Sequence, residues 1–123
     1  MAESAATNVV LEFVERINAH DLEGICALMT EDFTFTDYEG KIERGKELMR
    51  TGWEGYLSSF PKYKIIVQHV LIGGGGVAII GKTTGSHLPP EVEEKETVLW
   101  TAEIRNGRVA EWRIYSDSEK SQQ

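Results

Sequence analysis

Three side chains in this sequence have the type and setting to move protons: Asp37, Asp117 and His87. Asp117 closes the run Trp112-Arg-Ile-Tyr-Ser-Asp117, the second half of a hairpin whose turn is Asn106-Gly107. Both turn residues tolerate the positive φ of a type I′ turn, so an acid is delivered to the end of an aromatic-rich strand. Asp37 follows Phe33 and Phe35 at every second position, which puts the three on one strand face. A carboxylate beside an apolar wall can work as a general acid or base near neutral pH. His87 follows Gly85-Ser86 near the end of a long strand, and histidine is the natural proton shuttle at physiological pH. Each has a plainer alternative. Asp37 can be a turn carboxylate beside Glu39-Gly40, and His87 a structural ring. Strict alternation groups Asp117 with Tyr115, Arg113 and Glu111, opposite Trp112 and Ile114, where it can be a solvated or Arg113-paired charge; a β-bulge would reverse that parity.

Around these groups stand the large side chains suited to shape a pocket: Phe35, Tyr38, Trp53, Tyr56, Trp100, Trp112 and Tyr115, with core packing as the alternative. Cys26 lies in an amphipathic stretch and reads as a buried small hydrophobe. Three scattered histidines, His20, His69 and His87, lack ligand spacing, so no metal site is expected. Gly73 to Gly76 has no Gly-Lys-Ser/Thr continuation and no following helix, hence no phosphate loop.

The elements that must hold these groups follow from hydrophobic period. Val9, Val10, Phe13, Val14 and Ile17 form one helical face over residues 7–19. Asp21 caps a second helix carrying Leu22, Ile25, Cys26, Leu28 and Met29. A strand begins at Phe33, turns at Glu39-Gly40 and returns over Lys41 to Arg44. Gly45 opens a third helix that Pro61 ends. Tyr63 to Ile72, Val77 to Leu88 and the final hairpin are strands. Pro89 to Glu94 is expected to be a mobile acidic loop. Helix, helix, strand pair, helix and four longer strands make an α+β domain, a curved antiparallel sheet around helices from the N-terminal half.

The chain has 123 residues, 41% hydrophobic and 27% charged, which suits a single globular domain over 1–123. A net charge of −7 disfavours nucleic acid and anionic membrane partners. The single cysteine excludes an internal disulfide, and the Met1-Ala-Glu-Ser start has no secretory pattern, so a cytoplasmic location is expected.

In order and spacing, three stretches together resemble the nuclear transport factor 2-like superfamily and its SnoaL-like and ketosteroid isomerase-like branch: Val10 to Phe33, Tyr38 to Glu47, and Asn106 to Asp117. The resemblance implies a cone-like α+β fold. It places Asp37 where ketosteroid isomerases have their catalytic base. It places Asp117, after the Trp112-Arg-Ile-Tyr run, where limonene epoxide hydrolases have one of two catalytic carboxylates. The chain also departs from both enzymes. Lys82 and Thr84 stand near the places of the hydrolase arginine and second aspartate, and Trp100 stands where isomerases keep a proton-donating acid. The resulting expectation is cofactor-free acid/base chemistry, of isomerase, cyclase or hydrolase type, on a small apolar oxygenated molecule. Asp37, Asp117 and His87 would carry it, and a homodimer would form through the sheet. The alternative is a ligand-binding or protein-association module of the same fold.

Overall fold

The computed structural model describes residues 2–74 and 76–115, with side chains from residue 5 onward. Helix α1 spans Ala2–Asn18 and buries Val10, Phe13, Val14 and Ile17, the stripe that the sequence pattern marks. The Asn18 carboxamide extends that docking. It donates to the Ile65 carbonyl at 2.9 Å and accepts the Ile65 amide at 2.7 Å. The helix end is thereby stitched to a sheet edge as if it were one more strand residue. His20, at φ 56°, turns the chain. Asp21 then caps α2 (Leu22–Ala27) by accepting the Gly24 amide. Cys26 is buried, and burial pushes its thiol above the ordinary range, which leaves it unreactive.

Strands β1 (Met29–Thr36) and β2 (Ile42–Arg44) precede α3 (Lys46–Ser59). Then come β3 (Lys64–Gly73), β4 (Gly76–Thr84), the single helical turn α4 (Pro90–Glu93), β5 (Val98–Arg105) and β6 (Arg108–Tyr115). They form one curved, unclosed sheet of six strands in the order β2-β1-β6-β5-β4-β3. Every neighbouring pair is antiparallel except β1 with β6, which is parallel. The last strand thus enters beside the first, bringing the C-terminal half of β6 against Phe35. Asn106 and Gly107 have φ of 54° and 76°, as the hairpin signal requires. Register shifts in β1, β3 and β6 mark bulges, which strengthen twist and help the sheet curl.

The core lies between the concave sheet face, α1 and α3. Phe13 is at its centre, fully buried, with ring centroids 6.2 Å from Phe33, 6.4 Å from Trp53 and 5.2 Å from Trp112.

The segment from Pro89 differs from the expected mobile acidic loop. Proline suits the first helical position because its missing N–H is not needed there, and Pro90 starts one turn of helix. One acid of the segment, Glu93, folds inward. Its carboxylate accepts the Thr83 hydroxyl at 2.6 Å and the Ser86 amide at 3.2 Å. A buried carboxylate with two donors ties α4 to the end of β4. No helix among the described residues is long and apolar enough to cross a membrane.

Candidate functional site

The sheet curls away from α3 far enough to leave a cavity of about 290 Å³. Its walls are assembled from opposite ends of the chain. From β1 comes Phe35, and from the turn after it Asp37 and Tyr38. Glu43 of β2 joins them because it pairs directly with Phe35 and shares its face. Helix α3 contributes Met49, Gly52, Trp53 and Tyr56, and Tyr63 follows it. Trp100 of β5 and Trp112 and Ile114 of β6 form the floor, and His87 stands at the end of the loop leaving β4. All three tryptophans of the chain line this space. Trp100 and Trp112 are stacked at 6.3 Å with their planes 25° apart.

Eight of the residues singled out from sequence therefore meet in one cavity: Phe35, Asp37, Tyr38, Trp53, Tyr56, His87, Trp100 and Trp112. Tyr115 stands elsewhere. Since Trp112 and Ile114 face the cavity, strand alternation puts Arg113 and Tyr115 on the opposite face, where the Arg113 guanidinium lies 4.7 Å over the Tyr115 ring. Asp117 lies outside the described residues. Lys82 is on the outer face, donating to the carbonyls of Glu94 and Glu96. Sequence reasoning missed Glu43, Met49, Gly52, Tyr63 and Ile114. Counting back across the Glu39-Gly40 turn from Phe35 would have found Glu43, and the parity of β6 already separated Trp112 from Tyr115.

Asp37 is both the turn acid and a cavity residue. Its Oδ1 accepts the amides of Glu39 and Lys41, each at 2.9 Å, which fixes the side chain. Its Oδ2 has no hydrogen-bond partner among the described residues. The carboxylate is thus held by one oxygen and available through the other. Asp37 and Glu43 make no ion pair among the described residues, and no lysine or arginine lines the cavity.

The polar groups near α3 form a chain. The Tyr56 oxygen accepts the His87 amide at 3.4 Å and lies 2.9 Å from His87 Nδ1. Burial pushes the Tyr56 hydroxyl above its ordinary value, so it keeps its proton and can donate it to Nδ1. With Tyr56 as the donor, the imidazole proton sits on Nε2. The Tyr56 ring packs edge-on against Tyr63 at 5.1 Å and against His87 at 5.9 Å. Gly85, at φ 69°, makes the loop possible: a Cβ there would run into the backbone of Lys62.

Burial raises Tyr63 further, with smaller contributions from Tyr56 and Glu93. Because the folded protein holds this proton more tightly than the unfolded chain, the unfolded state sheds it first as pH passes about 10. The stability it supplies is complete below that pH and is lost as pH rises toward the folded value. Tyr63→Phe is therefore expected to flatten the alkaline fall in stability, read by urea unfolding from neutral pH upward. An unchanged alkaline slope would contradict it.

Comparison with known proteins gives the following. The family model for the SnoaL-like domain matches residues 10–112. No curated protein sequence matches the chain. Among solved structures, a SnoaL-like protein of unknown function from Burkholderia thailandensis is 19% identical, with 95% of this chain and 98% of that chain covered and a TM-score of 0.77. An NTF2-like protein of unknown function from Cytophaga hutchinsonii is 18% identical, with coverage of 96% and 95% and a TM-score of 0.75. An LEH-like epoxide hydrolase from M. tuberculosis is 15% identical, with coverage of 97% and 87% and a TM-score of 0.77. At such identities the likeness concerns the fold alone.

Proposed function

We propose that this chain, which belongs to the SnoaL-like domain family, performs cofactor-free acid/base chemistry on a small, apolar, oxygen-bearing molecule held in the α3–sheet cavity. The observation that carries this is Asp37. Its carboxylate is anchored through one oxygen, open through the other, and set in a cavity whose walls are mostly aromatic, with Glu43 as a second carboxylate. The chemistry suited to such a group is removal of a proton next to a carbonyl. Asp37 takes the proton, the C–H electron pair forms a carbon–carbon double bond, the carbonyl π pair moves to oxygen, and an enolate forms. Enolate formation needs hydrogen-bond donors at that oxygen. The Tyr63 hydroxyl and His87 Nε2–H supply donors in the same cavity, and both phenols keep their protons at neutral pH. Return of the proton to another carbon gives isomerisation. Attack of the carbanion on a second carbonyl gives cyclisation.

Binding without turnover has one observation in its favour: the Asp37 carboxylate also closes the β1–β2 turn, a role it would keep with no chemistry at all. Calorimetry with tetralone, a bicyclic ketone, separates the readings. Both require binding in wild type and in Asp37→Asn, but only the catalytic reading requires wild-type exchange of the protons beside the carbonyl. No binding in either protein would remove both. A homodimer through the sheet accompanies the proposal, because the outer face exposes Ile66 and Leu71 on β3. Sedimentation at micromolar concentration is expected to give twice the chain mass.

A further inference from the structure

We infer that the molecule taken by this cavity carries a protonated amine, with Glu43 as its anchor and the tryptophan-lined floor as the seat of its apolar body. This deepens the proposed function and rests on the same cavity being the ligand site. Three observations on the lining lead to it. Glu43 faces the cavity from β2, opposite Phe35 and one diagonal step from Asp37. Neither carboxylate has an ion-pair partner among the described residues, and no lysine or arginine shares the lining. The remaining walls offer π-faces, with the stacked Trp100–Trp112 pair, Trp53, Tyr56 and Tyr63.

These features select by charge. A carboxylate facing the cavity without a counter-charge in the lining attracts an incoming cation. The negative faces of indole and phenol rings attract the same cation. A chain of net charge −7 raises the local concentration of cations before contact. An anionic ligand meets two carboxylates and no compensating side chain. A neutral ligand gains the apolar contacts but leaves Glu43 unpaired. An ammonium on an aromatic or alicyclic body satisfies all three. The roles then divide: Glu43 binds the cation, and Asp37 remains free to take the proton.

Calorimetry with three probes of one ring system tests this: naphthylmethylamine, naphthylmethanol and naphthoate. The wild-type protein is expected to bind the amine about tenfold or more tighter than the alcohol, with naphthoate weakest. Glu43→Gln is expected to bring amine and alcohol within about threefold of each other while leaving the alcohol's affinity unchanged. An alcohol or naphthoate affinity equal to or above the amine's in wild type would overturn the inference and leave the cavity as a site for neutral molecules. Failure of all three probes would overturn both the inference and the function it rests on. The wild-type ranking decides the matter even if Glu43→Gln does not fold.

Discussion

Asp37→Asn will lower proton exchange beside the carbonyl of a bound ketone by about 10²–10⁴-fold, the usual worth of a positioned general base. The substitution is chosen because it changes one thing. Oδ1 of asparagine still accepts the amides of Glu39 and Lys41, so the turn stays closed. Stability is expected to stay within about 0.5 kcal/mol of the parent. What disappears is the basic oxygen. Uptake of deuterium from heavy water by tetralone, followed by NMR at equal protein concentration, reads the rate without knowledge of the natural substrate. Equal rates in the two proteins would place the chemistry elsewhere or remove it.

Phe13→Ala will cost about 3–5 kcal/mol of folding stability. Phe13 is fully buried and is the ring at which α1, β1, α3 and β6 meet through Phe33, Trp53 and Trp112. Truncation leaves a hole beneath the cavity floor that no neighbouring side chain can fill without moving an indole. Domains of this size hold about 5–15 kcal/mol in total, so the loss is a large share of the margin. Its melting temperature should fall by about 10–20 °C. Urea unfolding monitored at the tryptophans measures both. A loss below about 1 kcal/mol would mean that the floor does not depend on α1.

Much of the architecture was legible because its signals were local and redundant. The α1 stripe, the Asp21 cap, the period-two run through Phe33 and Phe35, and the Asn106-Gly107 turn each have a single physical reading, and each agrees with the resemblance that the whole order carries. The parallel meeting of β1 and β6 was not legible, since strand partners far apart in sequence leave no periodic mark. Glu93 was hidden for a similar reason. An acid in a proline-bearing acidic stretch reads as solvated until Thr83 and the Ser86 amide are seen to converge on it. At the site, alternation from Phe35 put Asp37 on the correct face, and the same alternation along β6 already set Trp112 and Ile114 apart from Tyr115. Glu43 was missed because a three-residue return strand is too short to show its own period. Its direction is fixed only by pairing with Phe35.

The account turns on one carboxylate reaching a molecule inside the cavity, and a crystal structure of the protein with tetralone bound tests that most directly. The expected result is a ring seated against Trp100 and Trp112, its carbon next to the carbonyl about 3–3.5 Å from Asp37 Oδ2. The carbonyl oxygen should lie within hydrogen-bonding distance of the Tyr63 hydroxyl or His87 Nε2. A ketone bound outside the cavity, or one inside it with Asp37 turned to bulk solvent, would contradict the account.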